Sequence, residues 1–408
     1  MASFLFKSKL KPLLSTKLTP PFLHLRHFSP SILNPDSTTP LSAKEKSKAA
    51  LTLIKSEKNP ETILEICRAA SLTPDSHLDR LIFSKAISKL SESNYYEGIR
   101  EFLNELQTRP DLKTERFVSH CMVLYGEAGL LGDAVKVYDK MPELGIPRTT
   151  RSLNALLFSC IVANDYGEMK RIFVEFPKMY GIEADVDTYN TVIKGFCDSG
   201  SAKAVYSVLA EMDRKKCKPN ATTFGIWIAG FYKEEKFDDV QKVLEEMKKR
   251  YMFPGISTFN IRIQSLCKLR RANDGKALLD EMFSRGMKPN KNTYYHLIHG
   301  FSREGKMDEA KEFYKKMNNA GYKPDSECYF TLVYFLCKNE DFETALSVCK
   351  ESMEKNWFPS YSTMKLLVNG LASIAKVDEA LELVKQMKER FPSSADQWNE
   401  IEESLPKK

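Results

Sequence analysis

Four basic residues recur at one fixed spacing in the second half of the chain. Lys233, Lys268, Arg303 and Lys338 stand 35 residues apart, so a structure of that period would align their charges in a single basic column. Such a column is suited to contacting the phosphates of a nucleic acid. Helix C-termini also favour cations through the macrodipole, by about 0.3–1 kcal/mol each. Both explanations of the basic column stay open at this point.

Cysteine and histidine spacings give no evidence of a metal site or of catalysis. The nine cysteines include no C-x-x-C pair, and Cys197, Cys267 and Cys337 lie 70 residues apart, which predicts packing positions rather than zinc ligands. His296 and His299 lack a third ligand. The chain has no phosphate-binding loop and no deaminase signature. We therefore predict no enzyme activity, no cofactor, no metal and no small-molecule substrate.

The elements that position these residues repeat with the same period. Prolines recur every 35 residues from Pro219 to Pro359, and each unit begins with apolar residues at i, i+4 and i+7, as in Tyr294, Ile298 and Phe301. This spacing forms one stripe along an α-helix, and a second stripe follows after a polar turn. Proline cannot continue a helix, so it separates one helical hairpin from the next. Threonines after the proline, such as Thr293, are predicted to cap the new helix.

The predicted fold class is all-α, a right-handed α-solenoid superhelix of about ten 35-residue helical hairpins. The prolines divide it into consecutive units, and the unit at 150–185 is one residue longer than the others. The first unit is degenerate, and a C-terminal cap or tail follows at 396–408. The predicted units are 45–79, 80–114, 115–149, 150–185, 186–220, 221–255, 256–290, 291–325, 326–360 and 361–395.

The repeats resemble the pentatricopeptide repeat over about residues 80 to 395. The resemblance is carried by Tyr189-Asn-Thr-Val-Ile-Lys-Gly-Phe-Cys197, by Ala-Glu-Met212 and by Lys-Pro-Asn220. It implies an organellar RNA-binding protein that contacts about one base per repeat through a few side chains. It also implies that the basic column contacts the RNA backbone.

In that family, the residue after the first-helix aromatic acts together with the last residue of the repeat to contact a base. The resemblance implies three pyrimidine-contacting pairs here, which we call the amide pairs: Asn154/Asp185, Asn190/Asn220 and Asn260/Asn290. The corresponding pair Gly225/Gly255 has no side chain to contact a base. Two residues before each aromatic, members of the family often have an aliphatic residue that sandwiches the base, whereas this chain has a polar column. Its members are Arg151, Asp187, Thr222, Ser257, Asn292, Glu327 and Ser362.

The N-terminus has the composition of a targeting segment. It contains no Asp or Glu before Asp36 and five basic residues within the first 28, which predicts a mitochondrial transit peptide at 1–28 and a disordered linker at 29–44. The expected cleavage is between Phe28 and Ser29, and the expected location is the mitochondrial matrix. Removing five of the seven net positive charges leaves a nearly neutral chain. RNA affinity would therefore depend on cations concentrated on one surface.

Three functions are compatible with these observations. The polar column and the small net charge favour a component or stable associate of the mitochondrial ribosome that acts in translation, with ribosomal RNA and ribosomal proteins as partners. The amide pairs favour a free factor that stabilises, processes or activates translation of one transcript. A protein-only scaffold is a more distant alternative, because it would leave the basic column unexplained. No stretch of the sequence is long and apolar enough to predict a membrane span.

Overall fold

The computed structural model describes residues 32–33, 41–73, 76–392 and 395–405, and the regular structure in these ranges is helical. The predicted transit peptide at 1–28 and the predicted cleavage site between Phe28 and Ser29 lie outside the described residues. The chain divides into two compact units, residues 1–120 and 121–408. Helices of the first unit are α1 Ala43–Ser56, α2 Pro60–Ala70, α3 His77–Glu92 and α4 Tyr96–Thr108, and α5 Glu115–Glu127 crosses the division.

The second unit consists of helical hairpins in which the first helix usually has 13 residues. The hairpin helices are α6 Leu131–Lys140, α7 Thr150–Val162, α8 Tyr166–Tyr180, α9 Val186–Asp198, α10 Val205–Arg214, α11 Ala221–Lys233, α12 Phe237–Lys249, α13 Ile256–Lys268, α14 Ala272–Ser284, α15 Lys291–Arg303, α16 Met307–Asn319, α17 Ser326–Lys338, α18 Phe342–Glu354, α19 Tyr361–Ser373 and α20 Val377–Arg390. A final helix, α21 Ala395–Ser404, follows them. The all-helical repeat fold predicted from the sequence is confirmed.

The two apolar stripes of each hairpin form its core. In α15, Tyr294, Ile298 and Phe301 are buried, and Phe301 stacks on the buried Phe313 of α16 with ring centroids 5.5 Å apart. Each first helix also packs against the first helix of the next hairpin, as α11 does against α13 and α13 against α15. Burying both stripes in this way is what stabilises an array whose units contact only their neighbours.

Left-handed residues end the helices with the same 35-residue period. After the second helices, Lys216, Tyr251, Gly286, Gly321 and Asn356 all have φ between 56° and 80°. Within the hairpins, Glu235, Arg270, Gly305, Glu340 and Ala375 do the same, with φ between 56° and 75°. The left-handed conformation terminates a helix and turns the chain. Repetition of these two turns therefore accounts for the constant length of the units.

The side chain of the last residue of the preceding repeat caps α7, α9, α11, α15, α17 and α19, whereas Gly255 before α13 has no side chain to do so. Asn220 is the N-cap of α11, and its side chain accepts a hydrogen bond from the backbone N–H of Thr223 at 3.0 Å. Thr223 returns a bond in which its hydroxyl oxygen accepts from the Asn220 N–H at 3.1 Å. Asn290 and Thr293 repeat this reciprocal capping box. The prediction that the threonine is the N-cap is thus wrong. The N-cap is the asparagine three residues earlier, and the threonine occupies the third helical position.

Three predicted boundaries differ from the structure, and the structure locates the extra residue of one unit. The boundary at 79/80 falls inside α3, because the second hairpin begins at His77. Helix α1 begins at Ala43, inside the predicted linker at 29–44, since Ser42 and Glu45 form a capping box. The extra residue of the 150–185 unit lies in α8, which has 15 residues where α12 has 13. The predicted unit at 361–395 overlaps α21 by one residue, because this helix begins at Ala395 and extends into the predicted cap or tail as far as Ser404.

Helix α21 packs on α20, and its Trp398 is 1 % exposed. The Trp398 ring meets Tyr361 of α19 edge to face at a centroid distance of 5.0 Å. It therefore covers the end of the last hairpin. No helix among the described residues has the length and apolar character needed to cross a membrane.

Candidate RNA interface

The amide pairs join consecutive repeats to each other. The Oδ1 of Asn190 accepts a hydrogen bond from the hydroxyl of Thr223, in the next first helix, at 2.7 Å. The Oδ1 of Asn260 accepts the equivalent bond from Thr293, also at 2.7 Å. Asn190 is 6 % exposed and Asn260 is 8 % exposed. The Oδ1 of each of these predicted base-contacting amides therefore already accepts a hydrogen bond within the array.

The partner amides have a free donor group. The Oδ1 of Asn290 accepts from Asn260 Nδ2 at 3.0 Å and caps α15. Among the described residues, the Nδ2 groups of Asn220 and Asn290 donate to no acceptor, and both side chains are half-buried. Each pair thus has a fixed acceptor side and a free Nδ2 that a pyrimidine carbonyl could accept from.

The third amide pair is looser and charged. Asn154 Nδ2 lies 3.5 Å from Asp185 Oδ1, and the buried Oδ1 of Asn154 has no hydrogen-bond partner. Burial raises the pKa of Asp185, but hydrogen bonds from Thr188 and Asn154 outweigh the burial and hold the pKa below its ordinary value. Asp185 is therefore ionised at neutral pH. Its carboxylate could accept a bond from the imino group of uracil.

In the other repeats, the positions equivalent to the two members of an amide pair hold different residues. A Cβ at Gly225 would lie 2.6 Å from Cδ1 of Ile261, so this position has room for no side chain without a shift of its neighbour. Tyr295 is half-buried, and Asp325 forms an ion pair with Lys291 at 2.5 Å. Phe330 is also half-buried. Amide groups therefore alternate with non-amide groups along α9, α11, α13 and α15.

This alternation extends through the repeat interfaces. Cys197 packs against Gly230, and Cys267 packs against Gly300, with the sulfur 2.4 Å from where a glycine Cβ would stand in both cases. Carboxylates follow the same pattern, because Glu234 accepts from the Ala202 N–H at 2.7 Å and Glu304 from the Ala272 N–H at 2.6 Å. These contacts thus recur after 70 residues, which is two hairpins.

The polar column lies on the surface. All seven of its members, Arg151, Asp187, Thr222, Ser257, Asn292, Glu327 and Ser362, are exposed. A base held between such residues gains little from stacking, which is worth about 1–3 kcal/mol per base against an aromatic ring. The structure thus offers no apolar sandwich at these seven positions.

The basic column occupies the last residues of the first helices, as predicted. Helices α11, α13, α15 and α17 end at Lys233, Lys268, Arg303 and Lys338. Lys233 donates to the backbone oxygen of Asp198, the last residue of α9, at 3.0 Å. Lys268 and Lys338 are exposed and Arg303 is half-buried. Lys233 thus lies beside the end of α9, and Asp198 partly neutralises its charge.

An aromatic and histidine cluster lies on α15 and α17 beside this column. His299 meets Phe335 edge to face at 6.4 Å, and Tyr295 lies 5.8 Å from His296 and 6.0 Å from His299. Burial lowers the pKa of His296 to about 4, and the positive Lys268 contributes in the same direction. The imidazole is therefore neutral at physiological pH. The spacing of the two histidines in the sequence argued against a metal site but did not predict this cluster, although Tyr295, at the position equivalent to Asn190 and Asn260, is a signal of it.

The cysteines are packing residues, in agreement with the prediction from their spacing. Burial raises the pKa of Cys197 and of Cys267 to about 12, so both are neutral thiols. Of the nine cysteines, only Cys217 is not buried. In the part of the chain that the structure describes, no three His, Cys, Asp or Glu side chains are grouped to hold a metal ion.

Comparison with known proteins gives consistent matches. The sequence profile of the PPR repeat family matches residues 184–233, 254–301 and 293–338, and that of the PPR repeat matches 119–146, 222–252 and 362–390. A mitochondrial pentatricopeptide repeat-containing protein of Arabidopsis thaliana is 54% identical over 405 residues, 99% of each chain. The Arabidopsis small ribosomal subunit protein mS79 (rPPR3b) is 33% identical over 168 residues, 41% of this chain and 43% of that protein.

Solved structures of the same kind are also similar. The crystal structure of the pentatricopeptide repeat protein PPR10 from maize has a TM-score of 0.39 and 17% identity, covering 88% of this chain and 55% of that chain. Yeast Rmd9p in complex with a 16-nt target RNA has a TM-score of 0.39 and 15% identity, covering 89% of this chain and 95% of that chain.

Proposed function

The chain belongs to the pentatricopeptide repeat family, and on that premise we propose that it is a mitochondrial RNA-binding protein that acts in translation as a component or stable associate of the mitochondrial ribosome. Its partners would be ribosomal RNA and ribosomal proteins. It has no catalytic role in this proposal.

Two observations support the mitochondrial location. The Arabidopsis relative that matches 99% of the chain at 54% identity is a mitochondrial protein. The first 28 residues contain five basic and no acidic residues, which is typical of a transit peptide. The expected compartment is the matrix.

The internal bonding of the amide pairs is the observation that carries the proposal. A protein that contacts successive bases of a single strand needs its base-contacting amides open to the ligand. Here Asn190 and Asn260 are almost fully buried, and their oxygens accept hydrogen bonds from Thr223 and Thr293. This burial and the exposed polar column favour a rigid array that binds folded RNA. They disfavour an array that contacts each base of a long single strand. The partial match to the ribosomal protein mS79 supports the same choice.

A second candidate function is a free factor that binds one transcript to stabilise it, process it or activate its translation. The unpartnered Nδ2 groups of Asn220 and Asn290 favour it, because they remain available to a pyrimidine carbonyl. Asn154/Asp185 and Asn190/Asn220 belong to consecutive repeats and would contact adjacent bases, whereas Gly225/Gly255 separates Asn260/Asn290 from them.

Sedimentation of a mitochondrial extract distinguishes the two functions. A ribosomal component is expected to migrate with one subunit and to remain there after brief ribonuclease treatment. Recovery only in light fractions that the nuclease disperses would contradict the proposal and favour the transcript factor.

The amide pairs provide a second, independent test. Asn190→Asp combined with Asn260→Asp keeps an oxygen for the hydroxyls of Thr223 and Thr293 but removes both Nδ2 donors. We expect this double variant to stay with the ribosome, like the control Asn104→Asp with Asn399→Asp at exposed positions of α4 and α21. Loss of ribosome association in the first variant alone would show that the amides make essential base contacts.

A further inference from the structure

The turns that connect consecutive hairpins form a second basic surface, separate from the basic column. Together with the last one or two residues of the helices before them, four of them cover residues 214–219, 248–254, 284–289 and 319–324, which contain ten basic residues and no acidic residue. We call this set of four turns the turn edge. Its basic residues are Arg214, Lys215, Lys216, Lys218, Lys248, Lys249, Arg250, Arg285, Lys288 and Lys323.

Ion pairs account for only four of these cations. Arg250 binds Asp213 through two bonds of 2.7 Å, and Arg214, Lys249 and Arg285 pair with glutamates one turn earlier in their own helices. The other six form no ion pair with any described residue: Lys215, Lys216, Lys218, Lys248, Lys288 and Lys323. In a chain whose net charge is about +2 without its first 28 residues, six uncompensated lysines dominate the local field.

Contacts between neighbouring turns place these lysines along one edge of the second unit. Arg250 of the second turn reaches Asp213 beside the first, and the Tyr322 hydroxyl of the fourth donates to the Pro289 oxygen of the third at 3.0 Å. A groove of about 630 Å³ lies between the first two turns and is lined by Lys216, Lys218 and Met252, among others. A polyanion lying along the edge would therefore meet cations from successive repeats.

Two aromatic rings stand exposed on the same edge. Tyr251 is 89 % exposed and Phe253 is 73 % exposed. Tyr251 also occupies the left-handed turn position, with φ of 58°, where two other repeats have Gly286 and Gly321. A bulky residue is unfavourable in this conformation, and its ring buries almost nothing in the protein. The turn itself therefore gives no reason for an aromatic residue here.

Helix macrodipoles do not explain the concentration of charge. Helix α18 ends like the others, yet residues 354–359 contain one acidic and one basic residue. The turn at 181–185, after α8, contains Glu183 and Asp185 and no basic residue. If helix C-termini alone selected cations, these turns would be basic as well.

From these observations we propose that the turn edge binds the phosphate backbone of a folded RNA, and that Tyr251 and Phe253 stack on unpaired bases beside a stem. Unpaired lysines neutralise phosphates, and exposed rings stack on bases regardless of their sequence. The turn edge precedes the first helices, whereas the basic column ends them. A 13-residue helix is roughly 20 Å long, so the two basic surfaces contact different stretches of RNA. This inference rests on the proposed RNA-binding function and adds a second surface to it.

Charge neutralisation tests the lysines. Full-length protein would be titrated into a fluorescently labelled RNA hairpin, one long stem with an unpaired loop, at several salt concentrations. The turn variant is Lys215→Gln, Lys216→Gln and Lys218→Gln. The control variant, Lys140→Gln, Lys350→Gln and Lys385→Gln, changes the same charge at exposed lysines of other surfaces. We expect the turn variant to bind at least about tenfold more weakly in moderate salt and its log–log salt slope to fall by about 2 to 3.

Tyr251→Gly tests the ring without endangering the fold. Glycine relieves the left-handed strain, so we expect the melting temperature to stay equal or rise while binding to the hairpin weakens about fivefold or more. Unchanged binding by this variant would exclude a stacking role for Tyr251.

The outcomes separate this inference from the proposed function. Suppose that the wild-type protein binds the RNA hairpin, and that the turn variant and the control variant either both bind as well as it does or both lose affinity equally. The turn edge is then not the contact surface, and the proposed function stands. If the wild-type protein binds no RNA, both proposals are wrong. Selective weakening of the turn variant and of Tyr251→Gly supports the turn edge.

Discussion

Asn190 and Asn260 combine a predicted role in base contact with a structural role between repeats. The sequence pattern identifies Asn190 and Asn260 only as base-contacting candidates. The structure adds that each holds the hydroxyl of a threonine from the next repeat in a buried bond. The sequence pattern of amide pairs cannot reveal this bond. The asparagine and the threonine are 33 residues apart, and their contact depends on how two helices pack.

The bond between Asn190 and Thr223 gives the first prediction. Thr223→Val removes the hydroxyl and leaves the buried Oδ1 of Asn190 unpaired, which costs about 1–3 kcal/mol. We expect the free energy of unfolding to fall by that amount in urea denaturation. Thr222→Val is the matched control, because Thr222 is exposed and its replacement should change stability by less than about 0.5 kcal/mol. Equal effects of the two substitutions would contradict the assigned bond.

A half-buried histidine in the first unit gives the second prediction. His120 packs edge to face on Phe83 at 5.5 Å, and its buried Nε2 has no partner. Burial, aided by the positive Arg80, lowers its pKa from 6.5 to about 4. Above pH 6.5 both the folded and the unfolded chain have a neutral imidazole, so the shift has no effect on stability there. Between pH 6.5 and about 4 only the unfolded chain takes up the proton, and stability falls by up to about 3 kcal/mol.

Thermal melts of His120→Gln across this pH range would check the second prediction. Since glutamine does not titrate, the variant should lose less stability than the wild-type protein as the pH falls from 6.5 to 4. His77→Gln, at an exposed histidine, should keep the wild-type pH dependence. A wild-type pH profile in His120→Gln would mean that His120 is not the responsible group.

At the level of helices, much of the architecture follows from the sequence. The 35-residue period and the apolar stripes predict the hairpins of the second unit, and α9, α11, α13, α15 and α17 begin at the predicted unit boundaries. The weaker predictions lie where the pattern fades. The boundary at 79/80 misses the start of α3, and the extra residue of α8 has no signal in its apolar spacing. Helix α21 was predicted only as a cap or tail because a single buried tryptophan does not define a helix.

Close packing of first helices gives the third prediction. A methyl group at position 300 would lie 2.4 Å from the sulfur of Cys267 and 2.7 Å from its Cβ. Gly300→Ala should therefore push α13 and α15 apart and reduce the free energy of unfolding by about 1–3 kcal/mol. Gly132→Ala in α6 is the control, since nothing lies within 4 Å of its added methyl group. Alanine favours helix over glycine, so that variant should be about 0.5–1 kcal/mol more stable. Loss of stability in both variants would point to a general intolerance of substitution rather than to packing.

The candidate site was harder to predict than the fold. The basic column was located correctly at the ends of α11, α13, α15 and α17 because a residue at a helix end is fixed by the period alone. The turn edge was missed, since its lysines occupy irregular positions in four turns and become a surface only when the hairpins stack. The cluster of His296, His299 and Phe335 was missed for the same reason, because it joins side chains of two helices.

The 70-residue alternation concerns the array of the second unit as a whole. Asn190 with Thr223 and Asn260 with Thr293 are equivalent bonds, and Cys197 with Gly230 matches Cys267 with Gly300. From α9 to α15, two hairpins, rather than one, are therefore the unit that reproduces these interface contacts. A repeat array gains its stability from each unit and from each interface between neighbours, so the alternation determines which internal deletions the second unit can accept.

The fourth prediction compares two deletions. Removing residues 221–290 joins Asn220 to Lys291, so Asn190 meets Thr293 and Cys197 meets Gly300, both with their native types of partner. Removing only residues 256–290 brings Gly225 opposite Thr293, where no amide can accept the hydroxyl. It also brings Tyr232 opposite Gly300, where a cysteine sulfur already stands 2.4 Å from a Cβ position. The larger deletion should therefore give the more stable and more cooperative protein.

Urea denaturation followed by circular dichroism and limited proteolysis would measure the difference. Counting lost units alone predicts the opposite order, because the larger deletion removes two hairpins and the smaller removes one. A more stable protein after the 35-residue deletion would show that the hairpins are interchangeable and that the alternating contacts contribute little. The reverse order would show that the interfaces, more than the hairpins, determine the stability of the array.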